Sequence, residues 1–279
     1  IHFFPNVRLF ADAVVENTIF MAEKGAAQPD QGVTRYWHDR LPAAGNRVER
    51  QTLPTSYGDD VFRQVLPTLK LKKNVKYARL VDLCYLSVGM VLNSSEKSDK
   101  GGFSLDDLVC DTPDPLHCVP YVGSRDIADY GLTNLRYLEY GPETRVPSRI
   151  RRATFPELYD RPKLMVAEFG GFAYDDGQWD SRGFLKCNHS VFILMPWHGL
   201  SRVNNQSILS DLRNRNRAAL NLLSSTVDSW YLLGFLNSQP MRELLAGVSR
   251  SAIADRLQPN DLREILVPLP PQTLSDDIA

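Results

Sequence analysis

The apolar and polar positions of the chain change rhythm twice along its length. Between residues 8 and 24 they form two extended runs, and Val14 to Met21 is β-branched and apolar with Asn17 and Thr18 in the middle, the pattern of a strand pair. Residues 26–58 are rich in Gly, Pro, Gln, Asn and Asp, and Tyr36 and Trp37 are their main apolar anchors, so they read as a connecting segment. Asp59 is placed to cap a short helix carrying Val61, Phe62, Val65 and Leu66, which Pro67 stops. After Lys76 the texture becomes one of short strands and turns. Val81 to Leu92 alternates around Gly89, and Val119 to Val122 and Leu138 to Tyr140 predict two more strands. The continuous apolar runs Lys163 to Phe169 and Ser190 to Met195 predict the central strands, with a polar loop from Gly170 to Asn188 between them that holds Phe172, Tyr174 and Trp179. From Val227 the period is helical: Val227, Trp230, Tyr231, Gly234 and Phe235 recur at three and four, Asn237 and Ser238 interrupt, and Met241, Leu244 and Leu245 resume after Pro240. Pro259 to Arg263 is a turn or helix, Ile265 to Leu269 a strand, and the prolines at 270 and 271 end it.

Composition adds few surprises. The 279 residues are 43% hydrophobic and 23% charged, ordinary for a globular chain with one large domain or two small ones. No apolar run approaches the roughly 20 residues that cross a bilayer, so no membrane association is expected. The four cysteines, at 84, 110, 118 and 187, form no C-x-x-C pair, which argues for buried thiols, against a zinc site, and for a reducing, cytoplasmic setting. A first residue that is Ile rather than Met suggests a piece of a longer protein.

Charge changes the picture more. The formal net charge is −1, yet three segments are locally basic. Val61 to Val81 holds six basic residues and no acidic one; Arg145 to Lys163 holds Arg145, Arg149, Arg151, Arg152, Arg161 and Lys163 against Glu157 and Asp160; Arg202 to Arg217 holds four Arg against Asp211. Local field, not net charge, draws a polyanion, and Arg binds phosphates and guanine edges bidentately. Each cluster taken alone is equally the solvated face of an ordinary domain.

No catalytic apparatus is recognisable. The turn Val166-Ala167-Glu168-Phe169-Gly170-Gly171 offers a strand and glycines but no G-x-G; no Asp/Asn-Pro-Pro-Tyr/Phe, no phosphate-cradling loop, no acid-x-Lys pair and no G-x-S-x-G elbow occurs.

Several segments together resemble one family. Val119-Pro120-Tyr121-Val122-Gly123-Ser124-Arg125-Asp126-Ile127 resembles the strand followed by G-x-D-I of DNA target-recognition domains. Tyr231 to Ser238, ending Leu236-Asn237-Ser238, is similar to their Leu-Asn-Ser helix, and LREILVPLPP from Leu262 to Pro271 to their closing strand. Arg161 to Leu164 and Asn188 to Phe192 fit their central strands, and Val14 to Phe20 resembles the last hairpin of a preceding methyltransferase domain. The family is that of the specificity domains of TaqI-like adenine-N6 DNA methyltransferases and of type I restriction specificity subunits. The resemblance implies an α+β mixed-sheet recognition domain over 77–279, a connecting segment over 26–76, and a remnant of an α/β methyltransferase domain over 1–25. It implies sequence-specific recognition of double-stranded DNA in a restriction-modification system. The reactive part, using S-adenosylmethionine, would lie outside this chain, with a methyltransferase or nuclease domain in the same parent protein, as in type II enzymes. This chain itself is expected to hold no cofactor, no metal and no catalytic residue.

A recognition module needs Arg, Lys and amide side chains against base edges and phosphates. The candidates are Arg125, Arg149, Arg151, Arg152, Lys163, Lys186, Asn188, His189, Arg202, Asn204, Asn205, Arg213, Arg215 and Arg217. Two other readings stand beside it: a metal-dependent nuclease or hydrolase of unfamiliar pattern, and a protein-interaction module docking through Trp230 and Tyr231.

Overall fold

The computed structural model describes residues 2–4, 17–19, 33–38, 48–53, 74–94, 102–168, 170–248, 257 and 259–270. The chain divides into two compact units, Ile1–Leu69 with Glu243–Arg256 and Lys70–Arg242 with Leu257–Ala279.

The first unit holds a four-stranded sheet of β1 (His2–Phe4), β2 (Asn17–Ile19), β3 (Val33–His38) and β4 (Val48–Leu53), in the order β2-β1-β3-β4. β1 runs antiparallel to β2 and parallel to β3, while β3 and β4 form an antiparallel hairpin from Val33↔Leu53 to His38↔Val48. This hairpin corrects the reading of 26–58 as a plain connector. Its strands carry Arg35 and the consecutive polar run Glu49, Arg50 and Gln51, a polarity that masks a strand between Gly- and Pro-rich flanks. The helix expected after Asp59 lies outside the described residues.

The second unit begins with β5 (Tyr77–Arg79), α1 (Leu80–Leu83), β6 (Cys84–Val88) and β7 (Val91–Ser94). Then come β8 (Val109–Cys110), β9 (His117–Val122), the hairpin β10 (Ile127–Ala128) and β11 (Gly131–Leu132), β12 (Arg136–Glu139) and β13 (Ile150–Arg152). β14 (Lys163–Ala167), β15 (Phe172–Asp175), β16 (Lys186–Cys187) and β17 (Val191–Pro196) follow. The chain continues through α2 (Gln206–Asp211), α3 (Arg217–Ser224), α4 (Ser229–Leu236), α5 (Gln239–Val248), α6 (Pro259–Arg263) and β18 (Leu266–Pro268). β18 returns to pair with β5. Helices and sheets are thus mixed, as an α+β chain requires.

The antiparallel sheet β15-β14-β17-β6 is the spine. Every residue of β14 and β17 is buried, which is why both read as unbroken apolar runs rather than alternating ones. Met165 and Ala167 of β14 and Val191, Ile193 and Met195 of β17 share one core with Tyr121, Val122 and Leu138 of the second sheet, β16-β9-β12-β8. Burying side chains of this size stabilises by roughly 1.5–3 kcal/mol each.

α4 starts on Asp228, whose carboxylate accepts from Trp230 N at 2.6 Å, and packs against β15 and β14. Its end explains the Leu-Asn-Ser run. Asn237, 2% exposed, accepts from Phe172 N at 3.2 Å and donates to Phe172 O at 2.9 Å, so one amide side chain closes the outer edge of β15. The expected polar loop 170–188 therefore contains two strands, β15 and β16.

Candidate nucleic-acid interface

Parallel pairing creates the site. β16 lies parallel to β9, with Lys186↔Tyr121 and Cys187↔Val122, so both chains leave the sheet at the same end. From β9 the chain enters a tight turn, Ser124–Asp126, in which Asp126 Oδ2 accepts from Gly123 N at 2.7 Å and from Arg136 Nη2 at 2.8 Å. Arg136 also stacks over Tyr121, 5.3 Å from its centroid. Asp126 is thereby committed to Arg136, and Arg125 projects exposed from the middle of the turn with no ion-pair partner among the described residues.

From β16 the chain runs into Asn188, His189 and Ser190. Asn188 Oδ1 accepts from Ser190 Oγ at 2.6 Å, and its backbone bridges in parallel to Met90. The next residue, Val91, pairs on its other side with Arg152 of β13. β9, β16, the start of β7 and the end of β13 therefore lie side by side, and three strand spacings put the outermost two about 15 Å apart. Arg125, His189, Arg151 and Arg152 are exposed along this edge, and Asn188 is half-buried among them. Nearby, the β10–β11 hairpin hydrogen-bonds to the Arg125 turn through Thr133 and lifts an exposed Tyr130 at its tip. Tyr130 holds φ at +64°, a conformation bulky residues rarely adopt, and donates from its backbone N to Phe172 O. Sequence reasoning passed over this aromatic, for which the Tyr130-Gly131 turn is the one local signal.

The structure corrects other members of the candidate set. Lys163 is fully buried, its Nζ 2.5 Å from Asp175 Oδ2 and 5.2 Å from the Phe184 ring. Lys186 is 7% exposed, bound to Asp160 at 3.1 Å and sandwiched near the rings of Tyr140 and Tyr159. Lys163 serves as the internal partner of a buried carboxylate, and Lys186, itself nearly buried, spends its ammonium on the exposed Asp160.

The cluster after β17 is also turned inward. Arg215 donates to Val81 O at 2.8 Å and Asp82 Oδ1 at 2.7 Å and lies over Trp197. Arg217 donates to Asn204 Oδ1 at 2.9 Å, to Leu200 O at 2.7 Å and to Val203 O. Asn205 caps α2 through Ser207 N at 2.9 Å. In the cluster before β14, Arg149 is exposed and stands over Phe103 at 5.9 Å. Arg202 and Arg213 remain exposed. They follow Pro196, however, whereas the turn at Asn188 leads into Val191, so the six residues of β17 separate the two groups by about 17 Å. Among the described residues, the arginines after β17 and those around Asn188 thus belong to opposite ends of that strand. The first of the three basic segments, Val61 to Val81, lies largely outside the described residues.

The remaining candidate chemistry is subdued. Burial pushes the Cys84 and Cys187 thiols up to about 12, so both stay protonated at neutral pH. Burial raises the Glu139 carboxyl too, but the hydrogen bonds and charge of Arg145 outweigh it and hold the group below its ordinary value. Tyr231 Oη donates to Pro268 O at 2.7 Å, leaving Trp230, which meets Tyr174 edge-on, as the exposed aromatic of α4.

No protein-family model and no curated protein matches this sequence. Among solved structures the chain is similar to the HsdS subunit from Thermoanaerobacter tengcongensis, at 14% identity and a TM-score of 0.36, over 76% of this chain and 37% of that one. It is also similar, at 12% identity and a TM-score of 0.39, to a chain from work on complex assembly and conformational transition of the type I R-M system, over 76% of this chain and 38% of that one. The chain spans less than two fifths of the length of either.

Proposed function

We propose that this chain is a DNA target-recognition module of a restriction-modification system, reading sequence for adenine-N6 methylation while the S-adenosylmethionine-binding part lies elsewhere in the parent protein. The observation that carries the reading is the edge where Arg125, Arg151, Arg152 and His189 stand exposed around Asn188, the Arg125 and Asn188 segments being among those whose sequence resembles target-recognition domains. Its width of about 15 Å suits a major groove about 12 Å across with its flanking phosphates. Arg151 and Arg152 supply charge against phosphates; Arg125 and Asn188 are the groups of the right chemistry for base edges.

Fluorescence anisotropy of labelled duplexes over a salt series tests this. Binding falls steeply with salt, and Arg151→Ala with Arg152→Ala lowers the salt slope by about two, one per lost phosphate contact. Asn188→Ala changes which duplex is preferred. Equal affinity for all duplexes and for heparin, or a slope untouched by the double substitution, defeats the proposal.

A further inference from the structure

We infer that Cys110, Asp114 and His117 form a site for a divalent transition-metal ion of the zinc class. Their ligand atoms all lie within 4.8 Å of one another, and a tetrahedral ion with bonds of about 2.0–2.3 Å needs them roughly 3.5 Å apart, so the Asp114–His117 pair, now 2.9 Å apart, opens slightly to admit the ion while Cys110 keeps within reach. The sheet itself sets this up. Cys110 on β8 pairs with Tyr137 and His117 on β9 with Glu139, so the two flank β12 at neighbouring positions, and the register shift at Leu138/Glu139 sets where His117 stands. The turn between β8 and β9 then brings Asp114 in from the side.

Asp114 is preorganised for the role. Its Oδ1 accepts from the backbone N of Leu116 and of His117, both at 2.7 Å, while Oδ2 is directed at His117 Nδ1, 2.9 Å away. One carboxylate oxygen is thus anchored by two backbone N–H groups, as ligating carboxylates are, while the other holds a hydrogen bond to the imidazole that the ion would replace. A thiolate and a carboxylate together carry two negative charges, which neutralise a divalent ion, and the neutral imidazole completes three protein ligands with a fourth position left to water. Sulfur and imidazole donors select zinc over calcium or magnesium, which take oxygen. Binding would staple the β8–β9 connection. The neighbouring Cys118 is not a ligand: its Sγ lies 3.6 Å from Tyr140 O.

The test is cobalt(II) titration of the chelator-stripped 279-residue chain. We expect one equivalent to bind with tetrahedral visible bands and an intense near-ultraviolet sulfur-to-cobalt band, both removed by stoichiometric zinc. Cys110→Ser abolishes the sulfur band and Cys118→Ser leaves it intact. Asp114→Asn, at a position 44% exposed and keeping the Oδ1 acceptor for both backbone N–H groups, weakens cobalt binding at least tenfold. Far-ultraviolet circular dichroism confirms that each variant is folded; should Cys110→Ser unfold, the Asp114→Asn result decides alone. Absence of the sulfur band in the unsubstituted chain, its survival in folded Cys110→Ser, its loss in folded Cys118→Ser, or unweakened binding in Asp114→Asn overturns the site.

Discussion

Asp175→Ala loses about 3–5 kcal/mol of folding stability, the range for leaving one member of a buried ion pair alone. Both side chains are fully buried, with Lys163 Nζ 2.5 Å from Asp175 Oδ2. The same carboxylate also accepts from Leu185 N at 2.9 Å and Gly177 N at 3.1 Å, tying β15 to the loop that leads into β16. Removing it strands an ammonium and two backbone N–H groups at once. Exchanging both charges for apolar side chains, Lys163→Met with Asp175→Leu, recovers the ionic part but still orphans the two amides, so its loss falls between the unsubstituted chain and Asp175→Ala. The deficit depends on pH in a definite direction. Burial holds the Lys163 ammonium below the ordinary lysine value, with the Asp175 charge opposing. Without Asp175 that opposition goes and the folded-state value falls further. Below it both the folded and the unfolded chain carry the proton, and the full penalty applies. Between it and the ordinary lysine value the unfolded chain binds the extra proton, so stability rises with pH and the deficit against the unsubstituted chain narrows. Urea denaturation of both proteins at neutral and alkaline pH reads this; an Asp175→Ala chain within about 1 kcal/mol of the unsubstituted one would mean that the pair is not desolvated as described.

The ion pair also marks where sequence reading succeeds and where it stops. β14 and β17 were legible because burial on both faces leaves no polar position to confuse the pattern. β15 was not: Asp175 and the following Asp176-Gly177 read as a loop, and nothing in one dimension says that a lysine twelve residues earlier neutralises the aspartate inside the core. The basic clusters failed for a related reason. Counting charge finds guanidinium groups but not the carbonyls that engage them, and Arg215 and Arg217 spend their donors on Val81, Leu200 and Val203. The edge at Arg125 and Asn188 was half visible. Its residues were identifiable as candidates, but their convergence depends on a parallel β9–β16 pairing of residues 65 positions apart, which no local pattern encodes. The same limit applies to the proposed metal-ligand set. A search for paired cysteines considers Cys110 and His117 and leaves out Asp114, whose part depends on a turn and not on a spacing.

Gly89→Ala tests whether that convergence is mechanical. An added Cβ would press on Asn188 O and stand 2.5 Å from Cys187 O and 2.7 Å from Asn188 C, all backbone atoms that no rotamer change can withdraw. Gly89 N donates to Val191 O and Met90 N to Cys187 O, each at 3.0 Å, so the β6–β7 crossing is laced to both sides of the Asn188 turn. The methyl group can be admitted only by moving β7 away from Cys187 and Asn188, which carries Arg152, paired to Val91, with it. We expect a loss of about 3 kcal/mol, the upper end of the overpacking range because the obstruction is main chain. Gly234→Ala is the control: nothing lies within 4 Å of its added Cβ, and in the interior of α4 the change stabilises by about 1 kcal/mol. Under conditions where Gly89→Ala is still folded, it weakens duplex binding and blurs sequence preference without removing any charged group. Were stability to fall while binding to the preferred duplex stayed the same, the Arg152 and Asn188 positions would not act as one recognition surface, and the exposed arginines would be binding phosphate independently of the fold that spaces them.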